Sequence, residues 1–151
     1  YQHMGTTLVC AVARSDMAII GNIGDSRAYH ITPEGIFQIS RDHSVVENMV
    51  AKGDLTPLEA RTHPNRNLIT RALGPDIHAK ADTFELPWHK DEFLLLCSDG
   101  LVNTVSDQEM LFEVLHDGDV NECLDHLLQI SLQRGAPDNI TAVLLLNEEG
   151  R

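Results

Sequence analysis

Basic residues are scarce in this sequence. Its 151 residues carry 11 lysines and arginines against 23 aspartates and glutamates, a net charge of −12. A nucleic-acid binder needs the opposite balance, because it displaces counterions from phosphates with cationic side chains. No nucleic-acid partner is therefore expected. No apolar run approaches the roughly 20 residues needed to cross a bilayer, so no membrane partner is expected either. No basic stretch followed by an apolar one reads as a signal peptide. Cysteine is limited to Cys10, Cys97 and Cys123, an odd count with no C-x-x-C pair. That excludes a disulfide framework and a zinc site, and it suits a reducing, cytoplasmic setting. All three lie in apolar stretches and read as buried thiols that act as small hydrophobes.

Several catalytic signatures are missing too. There is no G-x-S-x-G elbow, no G-x-x-x-x-G-K-[ST] loop and no H-x-x-x-H pair. The eight histidines are scattered, and His43, His63 and His78 read as solvated loop residues. Gly21, Gly24 and Asp25 do not form a dinucleotide loop, because no helix signal follows them.

What is present is a run of short β-prone segments: Thr6 to Ala13, Met17 to Ile23, Arg27 to Ile31 and Ile36 to Ile39. Tight turns join them, which predicts an antiparallel meander. Helix signals follow. Ser44 with Glu47 makes a capping box that Gly53 would stop, and Thr56-Pro57 with Glu59 opens a second short helix. Arg61 to Gly74 reads as irregular.

Thr83 to Leu86 and Phe93 to Cys97 are further strands, the second apolar throughout as if buried on both faces. Ser106 with Glu109 caps a helix whose face is Met110, Leu111, Val114 and Leu115. Asp119 and Glu122 cap a longer one with the face Cys123, Leu124, Leu127, Leu128 and Leu132, and Gly135 ends it. Ile140 to Leu146 is the last strand. Strands and helices come in blocks instead of alternating, which predicts an α+β fold with antiparallel sheet.

Three aspartates share one kind of place. Asp25 follows the second strand, Asp99 ends Phe93–Cys97, and Asp138 precedes Ile140–Leu146. A carboxylate at the lip of an apolar strand is held firmly yet open to solvent. Hard cations such as Mg²⁺ or Mn²⁺ take several oxygen ligands in such settings. Aspartate beside glycine or asparagine is also ordinary turn chemistry, and spacing alone leaves both readings open. Likewise, surplus acid either keeps a chain soluble or calls for bound cations if the substrate is phosphorylated.

Met4-Gly5-Thr6-Thr7, Gly24-Asp25-Ser26-Arg27, Asp42-His43-Ser44, Leu96-Cys97-Ser98-Asp99-Gly100-Leu101 and Pro137-Asp138-Asn139-Ile140-Thr141 occur in that order. Together they resemble the type 2C metal-dependent serine/threonine phosphatases, and Asn67-Leu68-Ile69-Thr70-Arg71-Ala72-Leu73-Gly74 resembles their bacterial branch. The resemblance runs from about Gly5 to Val143.

It implies an antiparallel β-sandwich flanked by helices in four layers, α-β-β-α. It implies two Mn²⁺ or Mg²⁺ ions and a looser third, with a metal-bridged water that attacks the phosphorus of phosphoserine or phosphothreonine. By the same resemblance Asp99 and Asp138 are ligands of the metal pair, and Asp25 joins Asp99 at the third ion. Asn139 gives support by orienting its neighbours, and residues 42–74 form a flap that influences which phosphoprotein is accepted. Phosphoprotein substrates and a serine/threonine kinase counterpart are the implied partners.

Complete members of the family begin with a further segment that brings a phosphate-gripping arginine, an acidic motif and an Asp-Gly motif whose aspartate bridges both metals. The sequence from Tyr1 holds no match to these, so residues 1–151 are expected to be the C-terminal portion of one phosphatase domain. Three expectations follow: feeble activity for this chain alone, self-association through sheet edges that the further segment would cover, and, as an alternative, a non-catalytic phosphoprotein-binding module resembling a pseudophosphatase.

Overall fold

The computed structural model describes residues 4–116 and 119–149. Two antiparallel sheets stack face to face. The first holds β1 (Leu8–Ala13), β2 (Met17–Ile23) and β5 (Asp82–Pro87) in the order β1-β2-β5. The second holds β3 (Arg27–Thr32), β4 (Gly35–Gln38), β6 (Phe93–Cys97) and β7 (Ala142–Leu146) in the order β4-β3-β6-β7. Five helices complete the described elements: α1 (Val45–Lys52), α2 (Pro57–Thr62), α3 (Asp99–Val102), α4 (Asp107–His116) and α5 (Val120–Gln133). Every paired strand runs antiparallel to its neighbour, as blocks of strands and helices predict.

The meander reading needs correction. β1 pairs with β2 and β3 with β4, but β2 does not pair with β3. The chain changes sheets at Gly24-Asp25-Ser26. The reason lies in burial. β2 buries Ala18 and Ile20 on one face, whereas β3 buries Ala28 on one face and Tyr29 and Ile31 on the other. A strand apolar on both sides belongs between two layers.

The same logic places β6. Leu94 faces the first sheet, within a cluster of Ala18, Ile20, Ala28, Leu86 and Trp88. Leu95 and Cys97 face the helices, within a cluster of Tyr29, Leu101, Met110, Val114, Cys123 and Leu127. Trp88 is buried, and its indole N–H donates to the Arg14 carbonyl oxygen, so the turn after β5 closes on the turn after β1.

The caps behave largely as read. Ser44 accepts from the Glu47 N–H, Gly53 ends α1 in the left-handed region, and Thr56 with Glu59 forms a complete capping box. Ser106 and Glu109 exchange the same pair of bonds ahead of α4. The α5 face differs. Its buried line is Cys123, Leu127 and Ser131, spaced four apart, whereas Leu128 and Leu132 are exposed. Ser131 is tolerated in the core because its hydroxyl accepts from Thr104 Oγ1 at 2.8 Å and donates to the Leu127 carbonyl at 3.0 Å. Counting leucines hid that polar position. Cys10 is a further correction: it is exposed, on edge strand β1, while Cys97 and Cys123 are buried.

α3, α4 and α5 contribute to the core on the helical side of the four-stranded sheet. On the three-stranded sheet, Leu8, Val12, Met17 and Ile19 remain exposed, Val12 at 65%. Among the described residues no helix is long and apolar enough to cross a membrane.

Candidate metal centre

The three strand-end aspartates occupy three loops, and those of Asp99 and Asp138 are stitched together. Asp25 sits in the crossing between sheets. Gly24 there has φ +106, and an added Cβ would collide with the Thr7 side chain, so only glycine fits. The Thr7 and Ser26 hydroxyls lie 2.8 Å apart across the same turn. Asp99 opens α3 directly after β6. Ser98 ties that end to the loop before β7: its N–H donates to the Thr141 carbonyl at 3.0 Å, its Oγ accepts from the Thr141 N–H at 3.0 Å, and its hydroxyl donates to the Asn139 carbonyl at 3.3 Å. Asp138 Oδ1 accepts from the Asn139 N–H at 2.7 Å. Gly100 passes so close to the Asn139 carbonyl that no Cβ would fit. Asp99-Gly100 and Asp138-Asn139 are therefore two halves of one joint.

Electrostatics link all three. Burial raises the Asp25 carboxyl to about 6, helped by the negative charge of Asp99. Burial likewise raises Asp99, and the charge of Asp138 adds to it. Mutual repulsion among partly desolvated carboxylates is the field a divalent cation relieves. The fit is partial. Among the described residues, no group of three or more His, Cys, Asp or Glu side chains is placed to hold a metal ion as it stands. The donors are hard oxygens of the right kind, but their set is open. Asn139 takes part here through its main-chain N–H and carbonyl.

One neighbour was present in the quoted motifs but not read as a site. Arg27 grips Asp42 with a fork, Nε to Oδ1 at 2.9 Å and Nη2 to Oδ2 at 2.7 Å, and its Nη1 donates to the Tyr29 hydroxyl at 3.0 Å. Burial alone would lower the Arg27 pKa, but Asp42 and Tyr29 outweigh it and hold the guanidinium charged. The pairing of Gly24-Asp25-Ser26-Arg27 with Asp42-His43-Ser44 was its only sequence signal. His43 is the other correction. It is not a solvated loop residue but is buried, 6% exposed.

Two adjoining cavities run along this edge. One of about 590 Å³ is lined by Asp25 and Asp99 among others, and one of about 440 Å³ by Asp138. Arg61, Arg66, Asn67 and Asn103 line both. Arg61, Arg66 and Asn67, from the segment read as the flap, thus line the same cavities as the three carboxylates.

Comparison with known proteins agrees with this architecture. A family model described as Protein phosphatase 2C matches residues 1–144. The serine/threonine phosphatase stp of Listeria monocytogenes is 36% identical over 98% of the chain and 60% of its own length. The crystal structure of the serine/threonine phosphatase Stp1 from Staphylococcus aureus superposes with a TM-score of 0.92 at 41% identity, covering 97% of this chain and 57% of that one. The catalytic domain of the serine threonine protein phosphatase PstP, solved in complex with 2 manganese ions, gives a TM-score of 0.84 at 34% identity, covering 95% and 59%. The chain thus spans about three fifths of the length of the relatives it matches.

Proposed function

The chain belongs to the protein phosphatase 2C family, and from that premise we propose that it supplies the Asp25, Asp99 and Asp138 side of a metal centre that hydrolyses phosphoserine and phosphothreonine on proteins. The observation that carries this reading is the joint of Ser98, Asn139 and Thr141, which sets Asp99 and Asp138 side by side with Asp25 in electrostatic reach. A pair of Mn²⁺ or Mg²⁺ ions, when bound, would supply Lewis acidity that activates a water for attack on phosphorus and neutralises phosphoryl oxygens. Asp99 and Asp138 would hold that pair, and Asp25 with Asp99 a looser third ion. Asn139 would steady Asp138 from behind. Arg61 and Arg66, lining both cavities, would draw the phosphoprotein's negative charge along an edge whose other arginines, Arg27 and Arg134, are paired with Asp42 and Glu109.

The open ligand set supports the reading that this chain, taken by itself, is a feeble catalyst. The same observation favours the second reading, a module that binds phosphoproteins without turning them over. A serine/threonine kinase would supply the substrates in either case, since the phosphoryl group must first be added.

Calorimetry with Mn²⁺ tests the metal reading. The chain should bind, and Asp99→Asn should weaken binding by at least tenfold; equal affinity in the two would defeat it. Hydrolysis of p-nitrophenyl phosphate with Mn²⁺ separates the two functions. Feeble turnover that Asp99→Asn abolishes supports the enzyme, and binding of a phosphopeptide with no turnover at all supports the module.

A further inference from the structure

We propose that His43 is a positioning residue that locks the Asp25 turn to the flap through a single imidazole tautomer. The proposal rests on the metal reading above. His43 meets the crossing turn twice. Its own N–H donates to the Gly24 carbonyl at 2.9 Å, and its Nδ1 accepts from the Gly24 N–H at 3.0 Å. Both main-chain polar groups of the residue beside Asp25 therefore bond to His43, and Asn22 Nδ2 also donates to the Gly24 carbonyl at 3.3 Å.

The second bond decides the tautomer. A nitrogen that accepts cannot carry the proton, so the proton sits on Nε2. Nε2 faces Asp82 Oδ2 at 2.9 Å and donates to it. Asp82 is in turn held by Arg71, whose Nη1 donates to Oδ1 at 2.7 Å. His43, and next Arg71, keep the Asp82 carboxyl below its ordinary range, so it stays ionised and aimed at the ring.

The flap hangs from the same residue. The Thr70 N–H donates to the His43 carbonyl at 2.8 Å. His43 thus joins three places: the turn of Asp25, the start of β5 and the returning arm of the flap. A carboxylate ligand works only if its backbone holds still, and orienting groups of this kind commonly govern metal affinity. A histidine that merely filled the core would not need an acceptor and a donor at these two positions.

Three variants of the 151-residue chain separate positioning from packing. His43→Asn places Oδ1 where Nδ1 lies and keeps the acceptor for Gly24. His43→Gln reaches toward Asp82 but leaves Gly24 unmatched. His43→Ala removes both. The readouts are Mn²⁺ affinity by calorimetry and hydrogen exchange of the Gly24 amide by NMR. The alanine and glutamine variants should bind Mn²⁺ about tenfold more weakly, with Gly24 exchange at least tenfold faster. The asparagine variant should recover most of both. Should the alanine variant fail to fold, the asparagine and glutamine pair carries the same comparison. Equal Mn²⁺ affinity and equal Gly24 exchange in asparagine and glutamine variants would overturn the proposal. If the unsubstituted chain binds no Mn²⁺, the metal reading falls by itself. The clamp is then judged on Gly24 exchange: faster in glutamine than asparagine supports it, and equal rates end it.

Discussion

The two sheets of this molecule are built from similar residues but live in different surroundings. The four-stranded sheet is packed on both faces, against the other sheet through Ala28 and Leu94 and against helices through Tyr29, Ile31 and Leu95. The three-stranded sheet packs inward through Ala18, Ile20 and Leu86, yet presents Leu8, Val12, Met17 and Ile19 outward to solvent. A sheet covered on both faces has strands that read as continuous apolar runs, as β6 does. A half-covered sheet should alternate with polar residues. β1 and β2 alternate in burial but not in chemistry. Their outer face therefore has the composition of a covered surface.

The largest expected difference between the sheets is in stability. Leu95→Ala, at a site with no exposure, should cost about 2–5 kcal/mol, from lost transfer energy plus a cavity. Ile19→Ala, at a site 41% exposed, should cost roughly 1 kcal/mol or less. Urea denaturation of the two variants measures the gap. Equal costs would mean that the outer face of the three-stranded sheet is covered in solution.

Gly24 stands where the chain passes from one sheet to the other, and it offers a second contrast. Gly24→Ala meets both a positive φ and the Thr7 side chain, and should cost roughly 1–3 kcal/mol or more. Gly53→Ala shares a positive φ but has nothing within 4 Å. It should cost only about 1 kcal/mol. A Gly24 variant no worse than the Gly53 variant would show that Thr7 yields freely and that the crossing is loosely held.

Asp25, on the same crossing, gives a smaller and pH-dependent effect. Its folded carboxyl is raised from 3.8 to about 6, first by burial and then by Asp99. An acid with a raised folded pKa binds its proton more tightly in the folded chain. Its destabilising contribution is therefore absent below about 4, grows between about 4 and 6, and is fully present above that. Asp25→Asn should stabilise the chain at pH 7 by about 1 kcal/mol after discounting for solvent screening, and the gain should vanish near pH 4. Thermal melts across that range test it. Added Mn²⁺ should stabilise the unsubstituted chain at pH 7 and leave the variant behind. A gain independent of pH would mean that neither burial nor the charge of Asp99 raises the Asp25 carboxyl.

The sequence made most elements legible, because caps and apolar runs are local signals. Ser44, Thr56 and Ser106 announced α1, α2 and α4, and Phe93 to Cys97 announced a strand buried on both sides. The three aspartates were legible as strand-end positions, and motif order supplied the link between them. What stayed hidden was non-local. Nothing near Gly24 says that β3 leaves the sheet of β2, because that choice depends on which faces later strands cover. Nothing near His43 says that it is buried, because its two ring partners lie 19 and 39 residues away. Ser131 in the α5 core was masked for the same reason: its partner Thr104 lies 27 residues upstream. α3 was missed because four residues carry too little periodicity to read.

The smallest expected effect on folding tests the outer face directly. We propose that Val12 and Ile19, paired across β1 and β2, form the centre of a self-association surface with β1 as its free edge. The residues there are apolar, and an edge strand offers unpaired main-chain groups to a second copy. The double variant Val12→Lys, Ile19→Lys should change stability by only about 0.5 kcal/mol, since both side chains already reach solvent and the repulsion of two like charges facing across β1 and β2 is offset by Glu85 on β5. The lysine introduced in place of Ile19 would also face Glu85, the partner of Ile19 on β5. Light scattering should find the unsubstituted chain forming dimers or larger species as concentration rises, and the double variant monomeric over the same range. A monomeric unsubstituted chain at high concentration would sink the idea. Association that survives both lysines would move it to another edge, and β5, the other end of that sheet, would be the strand to substitute next.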